Sequence, residues 1–157
     1  MAYKVGHFLL DIKASQYGVT NICFLEHTSE KIYDYSDNPI TQQCIQEITQ
    51  FLSKQITQFS VPIDLQKGTP FQKDVWLALR DIPYGVTYSY KNIAEKTNHP
   101  RAYQAIGQAC KKNPIPIIIP CHRVISQSGK LIGYFGSSEF GLSIKQSLLA
   151  LEKGNQN

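Results

Sequence analysis

The chain of 157 residues contains no long hydrophobic run. Its most apolar stretch, Ile115 to Ile119, is interrupted by Pro116 and falls far short of the roughly 20 apolar residues that span a bilayer. Met1-Ala2-Tyr3-Lys4 opens no charged and then apolar leader pattern, so a secretory signal is not expected. The four cysteines (Cys23, Cys44, Cys110 and Cys121) form no CxxC pair, so a zinc knuckle is not supported. Without a secretion signal a disulfide framework is not expected either; reduced thiols and a cytoplasmic setting are. Charged residues are only 18% against 42% hydrophobic, a globular balance that argues against intrinsic disorder. Repeats and low-complexity segments are absent. The length suits one medium domain or two small ones.

What charge there is lies unevenly. The first 66 residues carry four Lys and Arg against seven Asp and Glu, and the remainder twelve against five. The net +4 is mild, but the basic back part is the half suited to a polyanion.

Periodicity outlines the elements. Lys4–Ile12 and Tyr17–Leu25 read as an antiparallel strand pair, with a third strand at Lys31–Tyr35. Asp37-Asn38-Pro39 starts a helix over about 40–55, on which Cys44, Ile45, Ile48 and Phe51 share a face. The Pro- and Gly-punctuated stretch from Val61 to Pro70 marks a boundary. Thr69 caps a helix begun by Pro70, and Ser89 caps one over about 90–97. Asn98-His99-Pro100 separates the latter from a helix over about 101–111. These two form a helix-turn-helix pattern, which alone does not separate a nucleic acid reader from a helical hairpin packed in a core. The second of them is poor in large side chains (Ala102, Ala105, Gly107, Ala109) and flanked by Arg101, Lys111 and Lys112, a composition suited to close approach and phosphate contact. Asn113 to Pro120 reads as an extended, proline-stiffened arm leading to Cys121-His122-Arg123.

Cys121 is the thiol most suited to chemistry. If Pro120 opens a helical turn, unpaired N–H groups, Arg123 and a protonated His122 would favour its thiolate. His122 is then the adjacent base, in contact directly or through water, and Glu152 near the end of the last helix is a candidate to orient it. The other three cysteines read as inert.

Pro120-Cys121-His122-Arg123-Val124, preceded by Asn113-Pro114 and followed by Gly133-Tyr134, resembles the active-site region of the O6-alkylguanine-DNA alkyltransferases. The similarity continues upstream through Gly68-Thr69-Pro70-Phe71-Gln72, Val75-Trp76, Ile82-Pro83-Tyr84-Gly85 and Ser89-Tyr90. It implies a mixed α/β fold: a small ribonuclease-H-like domain over 1–66, then a winged-helix-like catalytic and DNA-binding domain over 67–157. It also implies a cofactor-free, metal-free monomer acting once on double-stranded DNA. The alkyl group of O6-alkylguanine, with O4-alkylthymine a further candidate lesion, passes irreversibly to Cys121. Such a target must leave the base stack to be reached. By position, His122 deprotonates Cys121 through a water and is oriented by Glu152, while Asn113 braces the turn. Tyr90 contacts the phosphate or rotates the nucleotide, Tyr134 hydrogen-bonds the departing guanine, and the Phe135 N–H lies near O6. Arg101, Gln104, Ala105 and Val124 complete the DNA- and substrate-facing set.

The chain departs from the family pattern twice. The arginine that fills the gap left by the flipped base is Gln104 here, and a segment including Ser137-Ser138-Glu139-Phe140 lengthens the loop after Tyr134. Two other classes use parts of the same pattern. A cysteine hydrolase would share the Cys–His–acid set but turn over repeatedly. A non-catalytic lesion sensor would have no use for Cys121.

Overall fold

The computed structural model describes residues 1–128 and 139–154, in two compact units, Met1–Gln66 and Lys67–Asn157.

The first unit is built on a sheet of order β3-β2-β1-β4. Ala2–Val5 (β1) and Phe8–Ala14 (β2) run antiparallel, with Val5 opposite Phe8. The single strand read over Lys4–Ile12 is thus two strands. Gly6 takes φ +60°, a conformation open to glycine at little cost, and the chain reverses there; a Cβ at Gly6 would also strike the Leu52 side chain. Val19–Phe24 (β3) adds antiparallel to β2, and the short Ile32–Tyr33 (β4) adds parallel to β1. Alternation sends Leu10, Ile12, Ile22 and Phe24 inward, and a register shift at Lys13/Ala14 lets Val19 be buried as well. Pro39–Leu52 (α1) packs on this sheet through Cys44, Ile45, Ile48 and Phe51. Its first turn is closed by Asn38, whose side-chain oxygen accepts from the Ile40 and Thr41 N–H groups.

The second unit is mainly helical. Pro70–Arg80 (α2) begins with a reciprocal capping box between Thr69 and Gln72, and Tyr90–Lys96 (α3) with one between Ser89 and Asn92. Val75, Trp76 and Leu79 turn the buried face of α2 inward, each such side chain contributing roughly 1.5–3 kcal/mol. The Trp76 indole N–H donates to the Ala109 carbonyl at 2.8 Å, tying α2 to Tyr103–Lys111 (α4). Asn98, at φ +60°, reverses the chain between α3 and α4. Tyr88–Ser89 (β5) pairs in parallel with Val124–Ile125 (β6), and Glu139–Lys153 (α5) closes the unit. Among the described residues no helix is long and apolar enough to cross a membrane.

Candidate active site

The segment before Cys121 is a folded loop, correcting the extended arm read from its prolines. Those prolines remove backbone donors, and the loop satisfies the remaining groups by curling on itself. The Ile119 N–H donates to the Ile115 carbonyl at 2.9 Å. Ile115, Ile117, Ile118 and Ile119 are all buried, and Ile117 is held at φ +75°, a costly conformation for a β-branched residue. Asn113 is the clasp. Its side-chain oxygen accepts from the Ile115 N–H at 2.9 Å, and its Nδ2 donates to the Ile119 carbonyl at 2.8 Å and to Cys121 Sγ at 3.1 Å.

Cys121 opens a single 3-10 turn, Cys121–Arg123 (η1), with 4% of its surface exposed. Pro120 caps this turn and is not its first residue. The Cys121 N–H donates to the Ile119 carbonyl at 2.8 Å, and three residues build no appreciable macrodipole, so helix-end stabilisation of the thiolate is not what this turn supplies. Nor does Arg123 serve the thiol. Its Nε lies 2.9 and 3.1 Å from the two Glu152 oxygens, its Nη2 2.9 Å from Oε2, and its Nη1 donates to the Ile82 carbonyl at 2.7 Å.

His122 is fully buried, with Nε2 2.6 Å from Glu152 Oε2. Burial pushes its pKa below the usual imidazole value; the hydrogen bond and charge of Glu152 pull it upward, and Arg123 and Lys145 push it down again. A protonated His122 is therefore disfavoured. Burial alone would raise Glu152, but His122 and Arg123 outweigh it and hold the carboxyl down at about 2. The Gly85 N–H adds a 3.2 Å bond to Oε1. Because Glu152 is an acceptor throughout the neutral range, Nε2 carries the proton of neutral His122, and Nδ1 is the basic nitrogen.

Tyr90, the first residue of α3, is half-buried, and its phenol is pushed up to about 12, first by burial and then by Cys110 and Cys121. It stays a neutral O–H donor and borders an open cleft of about 540 Å³ shared with Tyr103, Gln104, Gly107, Gln108 and Lys111 of α4. Gln104 and Ala105 are exposed. Arg101 is exposed too, but it lies in the turn before α4, whose cap is Ala102; the Ala102 N–H closes that turn on the His99 carbonyl at 3.0 Å, so the helix starts later than the sequence suggested. Val124 is fully buried and offers no side-chain surface to DNA. Tyr134, Phe135, Ser137 and Ser138 lie outside the described residues; Glu139 and Phe140, read as loop, are the first residues of α5.

Of the other thiols, Cys44 and Cys110 are buried, with their pKa values raised chiefly by desolvation, Cys44 to about 12. Cys23 is exposed, because strand alternation points it to solvent. Among the described residues, no three His, Cys, Asp or Glu side chains are grouped to hold a metal. Sequence reasoning passed over two groups. Gly85 supplies a backbone donor, which leaves no sequence signal. Lys145 did leave one: it stands beside Ile144 and three residues before Leu148, on the buried side of α5.

A family model described as 6-O-methylguanine DNA methyltransferase, DNA binding domain, matches residues 70–154. The chain is 42% identical over 137 residues to a methylated-DNA–protein-cysteine methyltransferase of Mycobacterium leprae, covering 86% of this chain and 80% of that one. It is 46% identical over 114 residues to the protein of the same name from Methanosarcina barkeri, covering 73% and 69%. The crystal structure of Mycobacterium tuberculosis OGT in complex with DNA superposes with a TM-score of 0.79 at 40% identity, over 93% of this chain and 87% of that one.

Proposed function

This chain belongs to the 6-O-methylguanine DNA methyltransferase family, and on that premise we propose how its own residues carry the reaction. It repairs DNA by direct alkyl transfer, with double-stranded DNA bearing O6-alkylguanine as its partner and substrate. Cys121 is the acceptor. His122 Nδ1 takes the thiol proton through a water, while Nε2–H stays on Glu152, whose charge stabilises the imidazolium that forms. The thiolate attacks the alkyl carbon: an S–C bond forms, the C–O6 bond breaks, and the electron pair leaves with guanine, which takes up a proton. The product thioether has no feasible leaving group, so each molecule acts once.

Asn113 holds the sulfur through its 3.1 Å bond and braces the loop behind it. Tyr90 guides the nucleotide into the cleft it borders, with α3 and α4 as the helix-turn-helix on the DNA and Gln104 and Ala105 on the exposed side of α4. In finer terms, the first unit is ribonuclease-H-like and the second winged-helix-like. The observation that carries this reading is the linked set Asn113–Cys121 and His122–Glu152–Arg123, buried behind a helix-turn-helix in the basic half of the chain.

The test is intact-protein mass spectrometry after incubation with excess O6-methylguanine duplex DNA. One methyl per protein, on the peptide containing Cys121, is expected. Repeated turnover, as a cysteine hydrolase would show, or full activity in Cys121→Ser, would overturn it.

A further inference from the structure

Tyr103, the first residue of α4, is an aromatic side chain that the core does not use. It is 46% exposed, and the helix is capped by Ala102, so the tyrosine neither fills the interior nor closes the helix start. Tyrosine is no more than an average helix former, so propensity does not favour it there either. Among the described residues, the second unit exposes three large apolar side chains, Leu77, Val86 and Tyr103, and of these only Tyr103 borders the open cleft.

That cleft is laid out in rows along α4. Tyr103, Gly107 and Lys111 recur at helical spacing on one face, with about 12 Å of rise from the first to the last. Gln104 and Gln108 form the row beside them. Tyr90 of α3 lies against the middle of the first row: a Cβ on Gly107 would stand 4.0 Å from its Cε1. The rim therefore presents a flat ring, a second ring and a cation in order, with amides alongside. Rings stack on bases, amides hydrogen-bond base edges, and an ammonium pairs with phosphate. The Tyr90 phenol feels the charge of Cys121, so the same cleft leads towards the sulfur.

The first turn of α4 exposes Tyr103, Gln104 and Ala105. Ala105 offers a methyl group and Gln104 a flexible chain ending in an amide; Tyr103 alone offers a flat apolar surface. We propose that Tyr103 enters the base stack of the bound duplex and takes the stacking place of the extruded O6-alkylguanine. This rests on the functional reading above and adds the surface on which the neighbouring base packs once the nucleotide has left. Ala102, Ala105 and Gly107 are small and let the helix come close, so the ring is what projects. Extrusion sacrifices the stacking of the departing base, and an aromatic ring restores it without reading sequence, because every base has a π-face. Gln104, one residue on, is left to hydrogen-bond the orphaned base.

The experiment compares single-turnover methyl transfer from an O6-methylguanine duplex with the reaction of free O6-benzylguanine, in the full chain, Tyr103→Ala and Tyr103→Phe. Tyr103→Ala is expected to slow the duplex reaction about tenfold and leave the free-base reaction unchanged, with Tyr103→Phe within about twofold of the parent on both. Alanine is the better helix former at this exposed position, and the free-base rate checks that the variant is folded. A second measurement places 2-aminopurine beside the lesion and follows its fluorescence on rapid mixing. The probe stays quenched in the parent complex and brightens with Tyr103→Ala, where its base has lost a stacking neighbour. An unchanged duplex rate or unchanged fluorescence in Tyr103→Ala overturns the proposal. Equal slowing on both substrates also overturns it, by placing the effect in the buried site. So does a slow Tyr103→Phe, which would make the hydroxyl, as a phosphate donor, the group that matters. Brightening with Tyr103→Ala, combined with no methyl uptake from DNA by the parent, would leave the stacking role standing and overturn the alkyl-transfer reading instead.

Discussion

Glu47 in the first unit and Glu152 in the second are both buried carboxylates, yet they are held by different kinds of neighbour. The Glu47 oxygens accept from the Ser60 and Val61 N–H groups, the Ser60 hydroxyl and the Gln43 amide, none of which titrates. Burial would raise its pKa, but those bonds outweigh it and leave the group below the ordinary carboxylate range. The result pins the segment around Ser60 to α1. Glu152 is also lowered, but its donors include a guanidinium and an imidazole, and the imidazole belongs to the residue next to the thiol. A depressed carboxyl pKa therefore does not mark function by itself. What distinguishes Glu152 is that one of its partners, the His122 imidazole, can change charge and stands beside a nucleophile.

The sharpest way to break this contrast is to neutralise each carboxylate in turn. Glu152→Gln is expected to slow alkyl transfer at pH 7 about a hundredfold, because His122 loses the charge that makes it a useful base. It also strips a buried guanidinium of its partner, a loss of about 3–5 kcal/mol. Glu47→Gln should cost about 1–3 kcal/mol and leave the transfer rate of the folded fraction unchanged. Single-turnover kinetics beside urea unfolding measure both. Equal effects on rate would dissolve the distinction.

Acidification sharpens the same contrast more gently. His122 is buried and its folded pKa lies below 6.5, so the unfolded chain takes the proton first. Its contribution is complete above pH 6.5 and is lost as pH falls below that toward the folded value. The lowered carboxyls contribute above about 4.5 and lose that as pH falls further, toward about 2 for Glu152. Between pH 6.5 and 4.5 the second unit should weaken while Glu47 leaves the first untouched. Trp76, the single tryptophan, reports the second unit by fluorescence, and amide exchange at Leu10 and Ile12 reports the first. Loss of exchange protection in the first unit ahead of the Trp76 transition would count against this assignment.

These differences follow what a sequence can carry. Local chemistry was legible: the Thr69 and Ser89 caps, Pro at the start of α1 and α2, and the inward faces of both helices. So was the Cys121-His122-Arg123 run, and the structure brings Glu152 to His122 across thirty positions. What stayed hidden depends on fine geometry or on backbone. Gly6 hid a hairpin inside one apolar run, because a two-residue turn scarcely interrupts alternation. The prolines around Ile117 suggested an arm, whereas the bonds of Asn113 make a knot. Lys145 was overlooked because a lysine on a helix usually marks the wet face.

The last prediction concerns the exposed side of α4, where function depends on groups outside the buried network. Gln104 borders the cleft with Tyr90, where the family resemblance leads one to expect arginine. A side chain entering the duplex must replace the stacking and volume of the departed base, and unstacking costs a few kcal/mol. Arginine would bring a planar cation that fills the gap, hydrogen-bonds the orphaned base and is drawn by the duplex field. Glutamine is shorter and neutral, so it makes a weaker wedge. Arg101 is poorly placed to replace it: it lies in the turn before α4, not one helical turn back on the same face, and is better suited to a phosphate. Gln104→Arg should therefore speed repair of duplex DNA severalfold while leaving the reaction with free O6-benzylguanine nearly unchanged, since a free base needs no flipping. Single-turnover rates on the two substrates make the test. Equal acceleration on both would place the effect in the buried site, and no acceleration on the duplex would mean that methylated guanine, already poorly paired, leaves the stack without needing a stronger wedge.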